Sequence, residues 1–273
     1  MSDVQLGCYV GPWGPGNLIQ AINEVAETGF EGVECPAEVV QEYEDRLHVF
    51  EEILDTSGLK LAGLLQGLDL LERDQADEQV ERAANSARFA SSTRAKTLTI
   101  FHNAQRDKSM NDEEWATLGA IVEEIGSRCL EFGIELCFLP RAMRLVSTER
   151  EIKRLLASTR AKYVSLAVDT AEVTLAGSSP QRVVRNCYDR IRVVRYRDAS
   201  ASKRRARSTS DRPGATPQFG RGAVRFDSVS KALLERGYSS WIIVDTTGDA
   251  HAPLDAAAGS FRFLMRKSGL YSF

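Results

Sequence analysis

Short apolar runs and stretches of helical period alternate along the whole chain, and this rhythm limits the folds open to it more than any other feature. β-Branched or apolar runs recur eight times: Val4–Val10, Gly32–Cys35, Lys60–Leu65, Thr97–His102, Ile134–Leu139, Tyr163–Val168, Ile191–Tyr196 and Trp241–Asp245. Most are continuous rather than alternating, as parallel strands covered on both faces require. Between them, Asn17–Thr28 places Leu18, Ile22 and Val25 on one helical stripe, and Asp112–Phe132 does the same with Trp115, Leu118, Ile121, Val122 and Ile125. Ser228–Arg236 and Pro253–Lys267 read likewise. Gly29, Gly133 and Gly237 each follow a periodic run and precede a strand, as helix-terminating glycines do. Eight strand–helix units without a composition break predict an α/β fold, a single (β/α)8 TIM barrel over residues 1–273. The competitor is a doubly wound open sheet.

Composition narrows the function. At 273 residues and 43% hydrophobic the chain supports one large core without disulfide or metal staples. Cys8, Cys35, Cys129, Cys137 and Cys187 are scattered, with no C-x-x-C pair, so neither a zinc ribbon nor a disulfide scaffold is supported. A net charge of -3 argues against a general nucleic-acid binder. No apolar run reaches the roughly 18 residues of a membrane span, and the N-terminus lacks signal-peptide character. The expected setting is cytoplasmic, with a small-molecule substrate, no nucleic acid, no membrane, and room for a homo-oligomer. GPWGPG after the first strand is neither a dinucleotide fingerprint nor a P-loop. Residues 198–222 (DASASKRRARSTSDRPGATPQFGRG) break the rhythm and predict a long loop on the C-terminal face, either a lid or a disordered stretch.

In a barrel, chemistry comes from strand C-termini. Those ends carry Glu34 and Cys35, Gln66, His102, Arg141, Asp169 with Glu172, Arg195 with Arg197, and Asp245. Ionisable groups at the end of apolar strands are costly unless paired or functional. Tyr9 and Trp13 after the first strand supply apolar walls. Cys35 has no activating base near it in sequence and reads as a core residue.

The stretch YVSLAVDTAEVTLAGSSPQRVVRNCYDRIRVVRYRDAS resembles the sixth and seventh strands of the xylose isomerase-like TIM barrels. FGRGAVRFDSV resembles that family's glycine turn before the seventh helix, GYSSWIIVD its eighth strand, and GFEGVE its second. The family includes sugar-phosphate isomerase/epimerases, hydroxypyruvate isomerase, inosose dehydratase and endonuclease IV. It implies a divalent cation held by Glu, Asp, His and Glu from strands five to eight. The corresponding positions are Leu139, Asp169, Arg195 and Asp245, and Glu172 and Arg221 replace a usual His and Glu. Two carboxylates beside a guanidinium do not make a divalent site, so the expectation is a chain with no metal and no other cofactor.

The resulting expectation is a metal-independent isomerase, epimerase or lyase acting by proton transfer on a small hydroxy-carbonyl or polyhydroxylated compound, anionic or a specialised metabolite included. His102, Glu172, Asp245 and Arg195 are the candidate catalytic residues. Arg141, Asp169, Glu34, Tyr9, Trp13, Gln66, Arg197 and Arg221 are candidates for substrate binding. The alternative is an inactive barrel that binds a small molecule or a partner, which a closed network around Arg195 would favour. Lys203–Arg207 as a nucleic-acid patch is the weakest reading, since endonuclease chemistry needs the metal cluster.

Overall fold

The computed structural model describes residues 4–105, 109–200, 216–249 and 251–270. Eight parallel strands close into a barrel in chain order: β1 Gln5–Tyr9, β2 Gly32–Pro36, β3 Lys60–Leu68, β4 Thr97–His102, β5 Glu135–Phe138, β6 Ser165–Asp169, β7 Ile191–Tyr196 and β8 Trp241–Val244. Each strand apart from β3, which runs three residues further, and β6, which starts two residues later, lies within a residue of its predicted run. The helices are α1 Leu18–Ala26, α2 Val39–Tyr43, α3 Leu47–Ser57, α4 Ala76–Ser92, α5 Asp112–Glu131, α6 Glu149–Ser158, α7 Thr170–Leu175, α8 Pro180–Cys187, α9 Phe226–Leu234 and α10 Pro253–Lys267. Two crossovers, after β2 and after β6, hold a pair of helices where one was expected. No helix among the described residues is long and apolar enough to cross a membrane.

Local chemistry sets these boundaries. Asn111 and Thr148 open α5 and α6 with reciprocal capping boxes to Glu114 and Glu151. Gly29, Gly133 and Gly237 adopt φ of 102°, 71° and 75°, left-handed conformations that turn each helix end back towards the sheet.

Two apolar layers result. The larger core lies between the strands and the helices, and includes Leu6, Leu64, Leu98, Ile100, Leu166 and Val194. The barrel interior holds Ala62, Leu65, Cys137, Leu139, Ala167, Val193, Trp241 and Ile243, with Tyr9 and Phe101 packed on them. Trp241 fills the floor beside Gly7 and Gly32; a Cβ on Gly32 would fall 2.7 Å from its ring and 2.6 Å from the Lys60 carbonyl. A register shift between Val33 and Glu34, opposite residues 61–63, re-phases β3. Leu65 is thereby turned inward and Gln66 outward. The segment 201–215 of the expected loop, with Lys203–Arg207, lies outside the described residues.

Candidate active site

The inward-facing ends of β2, β6, β7 and β8 bring four carboxylates and two arginines together, and the turn after β5 adds a third. Arg195 is at the centre, 1% exposed. Its Nη1 pairs with Glu34 Oε2. Nη2 donates to Asp245 Oδ2 at 2.7 Å, and Nε lies 3.8 Å from Asp169 Oδ2. The guanidinium also lies over the Tyr9 ring, 4.8 Å from its centroid. Burial pushes the Tyr9 phenol up to about 12, opposed by the Arg195 charge.

A second cluster adjoins it. Arg197 Nη2 donates to Glu172 Oε1 at 2.5 Å, and its Nε lies 3.5 Å from Asp169 Oδ2. Glu172 also accepts from Arg141 Nε at 3.3 Å and from the Ala142 backbone N–H at 2.8 Å. Its own backbone N–H donates to Asp169 Oδ1 at 2.9 Å, so Asp169 both caps α7 and faces the two arginines. Arg141 stacks over Phe101 at 4.5 Å and is the most open of these charges, its side chain 29% exposed.

The fields differ from carboxylate to carboxylate. Burial pushes Asp169 up to about 6, with Arg197 opposing and Glu172 and Asp245 adding to the rise. Burial also raises Asp245, but Arg195, Arg197 and the Thr247 hydrogen bonds outweigh it and hold the group at about 2. Glu172 is likewise lowered, the charges of Arg197 and Arg141 and the Ala142 N–H outweighing its burial. Of these three carboxyls, Asp169 is the one whose surroundings favour the protonated form.

Glu34, Asp169, Glu172, Arg195, Arg197, Asp245, Arg141 and Tyr9 thus converge as a group. Four expected residues do not join them. On β4 the parity turns Phe101 into the barrel and His102 outward, where its Nδ1 accepts the Leu70 backbone N–H at 3.1 Å. Gln66, re-phased on β3, faces α4 and donates to the Arg82 carbonyl at 3.4 Å. Trp13 is buried against α1, its indole N–H donating to Glu24 at 2.6 Å. Arg221 is exposed in the glycine turn. Cys35 is buried in the outer core, its thiol pushed up to about 12 by burial, which suits a packing residue.

Two contributors were not singled out in the sequence. Phe101 supplies the platform for Arg141, and inward parity on β4 is the signal that would have found it. Asp198 follows β7 and accepts from the backbone N–H groups of Ala199, Gly220, Gly222 and Val224 at 2.8–3.2 Å, tying both ends of the long loop together. Nothing local in the sequence signals that role.

The cation implied by the family does not fit this donor set. Leu139 is buried in the barrel interior and has no ligand atom to offer. One oxygen of each nearby carboxylate already faces a guanidinium, and Arg195 would repel a divalent ion.

The chain is 27% identical to inosose dehydratase from Lacticaseibacillus casei over 267 residues, covering 90% of this chain and 86% of that protein. Among solved structures it resembles the probable 3-DHS dehydratase AsbF of Bacillus anthracis, with a TM-score of 0.80, 14% identity and coverage of 96% and 99%. It also resembles an L-ribulose 3-epimerase, with a TM-score of 0.78, 15% identity and coverage of 99% and 95%. The profile of the xylose isomerase-like TIM barrels matches residues 22–267, and the chain belongs to that family.

Proposed function

We propose that this barrel is an isomerase-, epimerase- or dehydratase-type enzyme moving a proton next to the carbonyl of a small sugar-like compound, without a metal. The observation that carries the reading is the ring of strand-end charges, with a guanidinium among carboxylates where the family resemblance implies a cation. Likeness to inosose dehydratase over 90% of the chain supports the same class of substrate.

Arg195 acts as an internal counter-ion that positions Glu34, Asp169 and Asp245. Its burial and its pairs argue against direct contact with a substrate, so in this reading it does not bind the oxyanion. That role passes to Arg141, with Arg197 behind it, because Arg141 is open to the mouth. A carboxylate of the Asp169–Glu172 pair takes the proton from the carbon next to the carbonyl. The bonding electrons move onto the carbonyl oxygen, and the enediolate is held by the guanidinium. Returning the proton to the former carbonyl carbon, while the adjacent hydroxyl passes its proton to the former carbonyl oxygen and becomes the new carbonyl, gives isomerisation. A proton delivered to the opposite face of the original carbon gives epimerisation. Expulsion of a β-hydroxyl as water gives dehydration. Asp245, tied to Arg195 and held ionised, is the less suited of the expected proton carriers, and outward-facing His102 the least.

Incubation with hydroxy-ketones such as inosose in deuterated water, followed by proton NMR, tests this. The expected result is exchange at the carbon next to the carbonyl, insensitive to EDTA and slowed about 10²–10³-fold in Arg141→Ala. One observation favours a second reading: the side chains of Arg195, Asp169 and Glu172 are only 1%, 3% and 8% exposed, a closed network suited to an inactive binding barrel. No exchange with any member of such a panel would support that reading instead.

A further inference from the structure

Beside the charged cluster, on the same end of the barrel, lies a cavity of about 310 Å³. Small-molecule sites occupy roughly 300–1,000 Å³, so it has room for one hydroxylated ring. Tyr9, Val10, Pro36 and Val39 form apolar walls, and the glycine- and proline-rich segment 11–16 closes one side. The charged groups of this lining are Glu38 and Glu42, and it holds no basic side chain.

Tyr9 connects the cavity to the site, since its ring lines the one and carries Arg195 in the other. Gly11 makes that placement possible: a Cβ there would lie 2.4 Å from the Tyr9 ring. The charge of Glu38 reaches the Tyr9 phenol, whereas Glu42 is shared with Arg46 at 3.6 Å. Glu38 has no ion pair among the described residues. Behind Tyr9, Glu34, Asp169, Glu172 and Asp245 face Arg141, Arg195 and Arg197, and the charge of Arg144 also reaches Glu172, so the charges there are mutually engaged. The cavity's own lining carries carboxylates and no basic side chain between apolar walls, and so selects cations over anions.

We propose that this cavity binds a hydroxylated ring bearing a protonated amine, with Glu38 as the counter-ion of the ammonium group. The assignment rests on the sugar-like substrate class of the preceding reading and narrows it to aminated members. An anionic substrate is correspondingly disfavoured on this side of the mouth.

Binding of glucosamine, glucose and glucuronate, measured by calorimetry below the amine's pKa, tests the assignment. Glucosamine should bind about tenfold more tightly than glucose at low salt, and glucuronate more weakly than either. Added salt should shrink the preference. In Glu38→Gln, a substitution at an exposed position outside the charged cluster, glucosamine should fall to the affinity of glucose while glucose is unchanged. Equal affinities in the unmodified protein, a preference that survives Glu38→Gln, or no binding of any of the three would overturn the proposal. Exchange on neutral hydroxy-ketones without any amine preference defeats this assignment alone. An amine preference removed by Glu38→Gln, without exchange, defeats the reaction and leaves the cavity's ligand class standing.

Discussion

At the scale of single residues, Arg195 decides most. Removing one partner of a buried ion pair leaves an uncompensated charge, which costs about 3–5 kcal/mol, and here Glu34, Asp169 and Asp245 would lose their shared guanidinium. Arg195→Met should therefore lower stability by about that amount in urea titration; a change near zero would mean that the cluster is already solvated. His102 belongs to a different category. His102→Ala should cost about 1–3 kcal/mol by orphaning the buried Leu70 N–H, yet slow exchange by far less than the 10²–10⁴-fold expected of a true proton carrier. A loss of that catalytic size with stability unchanged would return His102 to the site.

At the scale of elements, the strands, four of the helices and the three glycine-terminated helix ends were legible because apolar runs, helical stripes and terminating glycines are local signals. What was not legible is strand phase. The residues LAGLLQ on β3 read as Ala62, Leu64 and Gln66 inward, and only the register shift against β2 turns Leu65 in and Gln66 out. On β4, the polar character of His102 suggested the mouth although alternation assigns that place to Phe101. Gly32→Ala would drive a methyl group into the Lys60 carbonyl and Trp241 at the floor. It should cost about 1–3 kcal/mol as an overpacked position, read as a fall in thermal midpoint. An unchanged midpoint would mean that β2 and Trp241 have room to separate. Glu149 links α6 to α8 through Arg182 at 2.5 Å and Asn186 at 2.8 Å, and pairs with Lys153 at 2.9 Å. The Lys153 hydrogen bond, with those of Asn186 and Arg182, holds its carboxyl at about 2 against an ordinary 4.5. Because the folded-state value is depressed, the clasp is fully present above about pH 4.5 and is lost as pH falls towards 2. Solvent screening limits it to about 1 kcal/mol. Glu149→Gln should narrow the difference in stability between neutral and acid pH by that much, and an unchanged pH profile would show that the clasp contributes nothing.

At the scale of the whole molecule, the barrel is that of its family, and the proposed chemistry concerns the centre of its mouth. Aligned strand ends identified Leu139, Arg195 and Asp245 as the altered positions and Asp169 as the retained one, since these follow from sequence order alone. They could not reveal that Glu34 closes on Arg195, because that pairing exists only once the closed barrel brings the ends of β2 and β7 together. Nor could they show that the cluster is buried rather than open. In the proposed reading the Arg195 guanidinium takes the place of the cation. Titration of the EDTA-washed protein with Mn²⁺, followed by electron paramagnetic resonance, probes that substitution. The unmodified protein should bind no stoichiometric Mn²⁺, and any hydroxy-ketone exchange should persist after chelation. One tightly bound Mn²⁺ per chain, displaced by Asp169→Asn or Asp245→Asn, would contradict that reading.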